Sequence, residues 1–310
     1  MPPESLPKPP ATSPLRHLLV TGARGRLASS LVPELRARGH RVTPVSRTGG
    51  EGCLTYPEIA RAGLPVGVDG ILHLAWSTVP ATAEADPGRA AAEDLPLLRS
   101  LLAAAEKSDA GGTAPHFIFF STGGAVYGDN EAHPAREDDV CRPIGAYGRA
   151  KLAAEAEVLA RQTRLPCAVL RISNPYGFRW RSTQPQGIIP RAFASAWSGT
   201  PLPLWGDGSA RKDFLHHDDF IRALDAIIGR GLAGIYNIAA GESHTVNEVL
   251  AAVERETGRP IHRQPGPAQP WDVHTSRLDI SKLSAAIDWT PRIGLEQGLR
   301  LTNLQLGQSG

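Results

Sequence analysis

The 310-residue chain has little cysteine: Cys53, Cys141 and Cys167, an odd number without CxxC spacing. That argues against a disulfide framework or a zinc ribbon and fits a reducing compartment, so a cytoplasmic location is expected. No apolar run approaches 18 residues, which leaves no candidate membrane-spanning helix. Neither charge is in excess. With 33 basic and 31 acidic residues the net charge is +2, too little to call for nucleic acid. Lysine is scarce as well: five residues (8, 107, 151, 212 and 282) against 28 Arg. A lysine at a chemically demanding position therefore carries weight. The six Trp come without a basic stripe and are read as packing residues, not as a base-stacking platform. His216-His217-Asp218-Asp219 is rich in ligand types, but adjacent side chains on one element rarely converge on a metal. Asp218 is expected to cap a helix there, and no metal site is expected. Residues 1–14 hold six prolines and no apolar stretch and are read as a disordered leader, not a signal peptide.

What is present is an alternation of strand and helix. Leu15 to Val20 is strand-like, Leu27 to Arg38 has helical spacing with a stop at Gly39, and His40 to Val45 is a second strand. Further strands are expected at Gly70 to Ala75, Phe117 to Ser121 and Ala168 to Ile172. Helices are expected at Leu95 to Lys107 and Ala146 to Thr163. This pattern predicts an α/β fold, a doubly wound parallel Rossmann sheet spanning residues 15–173. After Asn174, Pro and Gly become frequent and the elements shorten. Residues 174–310 are read mainly as a smaller substrate-binding lobe. Segments near 208–240 return to the main sheet, with a helix at His217 to Ile228 and a strand at Leu232 to Ala239. Thr245 and Glu248 form a capping-box start for a helix running to Thr257.

The first strand leads into Thr21-Gly22-Ala-Arg-Gly25-Arg-Leu-Ala28. Against the pattern GxxGxxG, Gly22 allows a tight turn, Gly25 lets the backbone approach a pyrophosphate, and Ala28 is small enough for close helix–strand packing. Within a βαβ unit this predicts a bound dinucleotide. A carboxylate after the second strand would select NAD through the ribose hydroxyls. Here that strand ends Val45-Ser46-Arg47, and Arg47, with Arg24, favours the 2′-phosphate of NADP over NAD.

Tyr147 and Lys151 open a helix at i and i+4, so phenol and ammonium share one face. An ammonium beside the phenol favours the phenolate and would make Tyr147 a proton acceptor near neutrality. The run Phe117 to Gly128 delivers Ser121, Thr122 and Tyr127 to the carboxyl end of a strand, where ligands bind in open α/β sheets.

Taken together, Gly22/Gly25, His73-Leu-Ala75, Ser121 to Gly128, Tyr147/Lys151 and Arg171-Ile-Ser-Asn174-Pro-Tyr-Gly177 resemble the extended short-chain dehydrogenase/reductase superfamily. Within it they are most similar to the UDP-glucose 4-epimerase-like members of the epimerase/dehydratase family. Gly187 to Pro190, Trp205-Gly-Asp-Gly208, Asp213 to Asp219 and Leu278 to Lys282 extend the resemblance in the same order, from about Leu15 to Leu301. It implies an NAD(P)-dependent enzyme inverting C4 of a nucleotide-linked hexose through a 4-keto sugar. The implied proton-transfer residues are Tyr147, Lys151 and a hydroxyl. The implied cofactor contacts are Gly22, Arg24, Gly25, Arg26, Leu27, Ser46, Arg47, Leu74, Ala75, Asp94, Ser121, Tyr147 and Lys151. Substrate contacts fall on Thr122, Gly123, Asn174, Lys212 and Arg277, the last within the segment Trp271 to Arg277. The resemblance also implies a homodimer built on the Ala-rich helices at 95–107 and 147–163.

The chain departs from that family at several places. The usual catalytic Ser or Thr position is Gly123, so Thr122 is taken as the hydroxyl, with Ser121 behind it. Gly124 and Ala125 replace the Asp-Glu of sugar dehydratases, which argues against dehydration. Lys212 and Gln269 stand where diphosphate-binding arginines are usual, and Asp94 where Asn is usual. An NADPH-dependent ketoreductase of a 4-keto sugar or other small carbonyl is the alternative enzyme. A non-catalytic dinucleotide-binding sensor is the alternative outside enzymology.

Overall fold

The computed structural model describes residues 16–50, 52–108, 114–178 and 187–307. The expected leader, and residues 179–186 of the expected substrate lobe, lie outside the described residues. The first half of the chain alternates β1 (His17–Thr21), α1 (Arg26–Ala37), β2 (Arg41–Val45), α2 (Tyr56–Ala62), β3 (Gly70–His73) and α3 (Pro80–Ala85). A π-helical turn (Ala90–Asp94) runs into α4 (Leu95–Lys107), followed by β4 (His116–Thr122), the single turn α5 (Gly123–Val126), α6 (Ala146–Leu159) and β5 (Cys167–Ile172). The second half holds β6 (Asn174–Tyr176), α7 (Ile188–Ser198), β7 (Leu202–Trp205), β8 (Arg211–Lys212), β9 (Phe214–His216), α8 (His217–Arg230), β10 (Gly234–Ile238) and β11 (His244–Thr245). It closes with α9 (Val246–Thr257), β12 (Arg263–Gly266), α10 (Ser281–Ile287) and α11 (Leu295–Gly307).

Six strands form one sheet in the order β10-β5-β4-β3-β1-β2, all paired in parallel. The strands are apolar on both faces because both faces are covered. Leu18, Val20, Leu72, Ile118 and Phe120 face α1 and α8, joining Leu31, Leu35, Leu224 and Ile227. Their neighbours Leu19, Ile71, Phe117 and Phe119 face α4 and α6, joining Leu98, Leu102, Ala154 and Val158. A third core holds Phe193 of α7, Leu204 of β7, Val249 and Val253 of α9 and Leu299 of α11.

Strand order reverses between β1 and β3, which opens a crevice at their carboxyl ends. Thr21 fastens that point. Its Oγ1 lies 2.9 Å from His73 Nδ1 and accepts the Ala75 N–H at 3.2 Å. Two elements differ from the sequence expectation. The helix expected to reach Thr163 ends at Leu159, because the Arg161 carbonyl turns the chain back onto Arg164 and Leu165. The cap of α8 is His216, not Asp218. The His216 ring Nδ1 accepts the Asp218 N–H at 3.3 Å, and Asp218 already lies in the first turn.

Candidate active site

The crevice is shaped first by backbone. Gly22 has φ +67°, and a Cβ there would stand 2.8 Å from Ala75 Cα, so only glycine lets the loop meet the end of β3. Gly25 caps α1 without any side-chain hydrogen bond, and its N–H returns to Gly22 O at 2.7 Å. Amides of the first turn, including those of Arg26 and Leu27, therefore face outward with no side-chain acceptor. This is the arrangement that takes an anion at a helix N-terminus. Ala28 is buried against the sheet. These residues fit a dinucleotide pyrophosphate.

Beyond β2, Ser46 is buried and Arg47 is exposed. Arg47 Nη1 pairs with Glu93 Oε2 at 3.0 Å. Arg24 lies across Gly50, whose missing Cβ leaves room for the guanidinium, and donates to Thr48 Oγ1 at 3.0 Å. Two arginines and two hydroxyls thus border the far end of the crevice.

Helix α6 brings Tyr147 and Lys151 to its other end. Its N-cap, Gly145, has no side chain to offer, and the Ala146 N–H donates instead to the Glu84 carboxylate of α3. Gly148 permits the approach of α6 to α5, since a Cβ would lie 2.5 Å from Ala125 O. Lys151 is 3% exposed. Its ammonium donates to Phe120 O at 2.8 Å and sits 4.0 Å from the centre of the Trp76 ring. Burial pushes its pKa down to about 7, against the opposing pull of Asp94 and Glu155. Tyr147 departs from the expectation. Burial, reinforced by the Asp94 carboxylate, holds its phenol above the ordinary tyrosine range. The Lys151 ammonium is 6.0 Å from the ring centre and bonded elsewhere, so it does not offset that burial. Asp94 is buried and accepts the Ser77 N–H at 2.9 Å and the Ser77 Oγ–H at 2.7 Å.

Ser121 and Thr122 have opposite fates. Ser121 turns beneath the site and donates to Glu155, which is paired with Arg171 at 2.8 Å, both nearly fully buried. Ser121, expected at the cofactor and as the second choice of hydroxyl, thus spends its proton on α6. Thr122 Oγ1 makes no cap hydrogen bond. It lies 3.9 Å from the point where a Gly124 Cβ would stand, as do Asn174 Nδ2 and Ser276 Oγ. Gly123 offers nothing in their place, because a Cβ would overlap Leu278 Cδ1 and come within 3.2 Å of Arg171 O.

Asn174 Nδ2 also donates to Asp213 O at 2.9 Å. Lys212 is engaged by Asp272 at 3.1 Å and by Val273 O. The backbone N–H of Arg277 is held by Asn130 Oδ1 at 3.0 Å. Trp205, expected as packing, is 46% exposed and meets Trp271 edge-to-face at 4.7 Å between ring centres. Sequence reasoning missed three residues. Ser276 is buried, with an Oγ that has no partner among the described residues; its only signal is its place in the segment from Trp271 to Arg277. Trp76 had a signal in its position next to Ala75. Glu84 had none beyond the uncappable Gly145.

A doubly wound sheet with a glycine turn at its switch point defines a dinucleotide-binding fold. The model of the NAD dependent epimerase/dehydratase family matches residues 18–239, well over half the chain, and the chain belongs to that family. It is similar to dTDP-4-dehydro-6-deoxyglucose reductase of Escherichia coli, 30% identical over 59% of this chain and 58% of that enzyme's length. The UDP-glucose 4-epimerase of Thermus thermophilus in complex with NAD matches with a TM-score of 0.85 and 28% identity, covering 95% of this chain and 100% of that one. The UDP-glucose 4-epimerase of Thermotoga maritima with UDP-glucose matches with a TM-score of 0.82 and 28% identity, covering 94% and 99%. Among the described residues no helix is long and apolar enough to cross a membrane.

Proposed function

We propose that the chain is an NAD(P)-dependent sugar-nucleotide epimerase that inverts C4 of a nucleotide-linked hexose through a transient 4-keto sugar. What supports this most is a single convergence at the carboxyl end of the sheet. Helix α6, which carries Tyr147 and Lys151, packs through Gly148 on Ala125, and over the neighbouring Gly124 the residues Thr122, Asn174 and Ser276 place polar atoms. The match to an epimerase along that enzyme's whole chain supports it further.

Gly22, Gly25 and the amides of Arg26 and Leu27 would hold the pyrophosphate, with Leu74, Ala75 and Asp94 along the nicotinamide half. Ser46, Arg24 and Arg47 would hold the adenosine ribose, and the two arginines favour NADP. Bound there, the dinucleotide would supply reversible hydride exchange with C4. Tyr147 takes the proton of the 4-hydroxyl and returns it to the 4-keto oxygen. Lys151 would hold the nicotinamide ribose, and would lower the cost of the phenolate only where its ammonium leaves Phe120 O for Tyr147. Thr122 is the hydroxyl that orients the sugar, with Asn174 and Ser276. Lys212 and Arg277 serve the nucleotide diphosphate, which requires Lys212 to leave Asp272. The exposed Ala153 and Ala156 of α6 and Ser100 of α4 form the seam of a homodimer; a monomer mass by light scattering removes that part.

One observation favours a second reading, a ketoreductase. A phenol held above its usual range stays protonated near neutrality, the form that hands a proton to a carbonyl oxygen. Stoichiometry separates the two. The epimerase forms C4 epimer from a nucleotide hexose with no net change at 340 nm, whereas the reductase oxidises one NADPH per product. NADPH-dependent carbonyl reduction without epimer formation overturns the first reading.

A further inference from the structure

We infer that Trp76 is a positioning residue, whose indole face holds the Lys151 ammonium in place within the apolar wall of the site. The inference rests on the assignment of Lys151 as the partner of Tyr147. It starts from what surrounds the ammonium within the chain. A buried ammonium has three donors, and among the described residues Lys151 has a single hydrogen-bond acceptor, Phe120 O at 2.8 Å. The rest of its surroundings are rings: Trp76 at 4.0 Å from the ring centre and Phe119 at 4.8 Å. A cation over an indole face is attracted by the ring quadrupole, most strongly where water is excluded.

The indole is also placed for this contact by nothing polar of its own. Among the described residues Trp76 Nε1 is buried without a hydrogen-bond partner. The ring is fixed by the Phe119 edge, 6.1 Å between centres at 63°, and by the ammonium itself. The backbone on either side is tied down. Ala75 is held by Thr21 and closed upon by Gly22, and Ser77 is held twice by the Asp94 carboxylate. A three-residue span, anchored at Ala75 and Ser77, thus carries the ring to the lysine. Within the chain, Phe120 O, the Trp76 ring and the Phe119 ring are what hold the end of the Lys151 side chain.

The charged and titratable groups around Lys151 are His73 on β3, Asp94 in the π turn, and Tyr147 and Glu155 on α6. The test uses the protein without added cofactor, so that it stands apart from any assay of turnover. Tryptophan emission is titrated from pH 5 to 9 in the wild type, Trp76→Phe and Lys151→Met. The expected result is a one-proton transition near neutrality in the wild type that is absent from both variants. The same transition in Lys151→Met assigns it to a neighbouring carboxylate or histidine and overturns the proposal, as does a featureless wild-type curve.

A second measurement follows Lys151 itself, through the pH dependence of its acetylation read by mass spectrometry. Trp76→Phe keeps a π face and is expected to keep the wild-type midpoint. Trp76→Leu is expected to lower it by roughly half a unit to one unit, the size of a lost cation–π contact. An unchanged or raised midpoint in Trp76→Leu overturns the proposal. If both measurements behave as expected while no epimer and no reduced carbonyl form, the role of Trp76 stands and the proposed reaction falls.

Discussion

The two sides of the cleft are built on different principles. On the sheet side, position is set by backbone and by fully buried groups: Gly22 against Ala75, Thr21 bridging β1 and β3, and the Ser121–Glu155–Arg171 chain under α6. On the lobe side, the groups that would meet the substrate are partly exposed side chains in ion pairs, such as Lys212 with Asp272. The first side resists change because every displacement leaves a buried group unpaired or two backbones overlapping. The second can rearrange at small cost, since a part-exposed pair contributes little to stability. Under the proposed function, chemistry would be held constant on the first side while specificity stays adjustable on the second.

The largest expected effect breaks the sheet side at its chemical end. Tyr147→Phe is expected to reduce turnover by about 10²- to 10⁴-fold, with cofactor binding, followed by calorimetry, unchanged. Retained turnover would remove Tyr147 from the proton path and restore the sensor reading. Next comes the buried pair. Glu155→Ala leaves the Arg171 guanidinium uncompensated and is expected to cost about 3–5 kcal/mol in urea unfolding. A loss below about 1 kcal/mol would mean that α6 is not secured through Arg171.

A third prediction concerns pH. The folded pKa of Lys151 is lowered to about 7, below the ordinary lysine value near 10.4. Between those values the unfolded chain carries a proton that the folded chain does not. Stability contributed by this group therefore rises as pH increases from about 7 toward 10 and is absent below 7. Lys151→Met is expected to abolish that rise and to be the more stable protein at pH 7. Parallel pH–stability curves for the two proteins would contradict it. The smallest effect belongs to the lobe side. Lys212→Ala is expected to change stability by less than about 1 kcal/mol while raising the KM for a nucleotide sugar several-fold. An unchanged KM would mean that Lys212 stays with Asp272 and never meets substrate.

The same division explains what the sequence made legible. Periodicity, glycine placement and the Tyr147/Lys151 interval are local, and α1, β1 to β5 and the switch-point crevice follow from them. So does the Thr245–Glu248 capping box, present as expected at α9. An equivalent signal, Thr55 to Glu58 with Pro57, starts α2 and went unread. The direction of the Ser121 and Thr122 side chains depends on strand register, and the sequence left the choice between them open. The i to i+4 interval sets Lys151 on the face of Tyr147 but says nothing about what else claims the ammonium. Phe120 O and Trp76 do so from other elements. The cap on α6 comes from Glu84, some sixty residues upstream, and no local pattern reveals it.

Gly123 and Leu278 are coupled. A serine or threonine placed at position 123 would put its Cβ in the space filled by the Leu278 methyl, and Leu278 is 1% exposed, so the leucine side chain must turn aside for it. Shortening Leu278 alone opens a cavity, which is itself destabilising. The two changes are therefore expected to be non-additive, each costing more alone than beside the other.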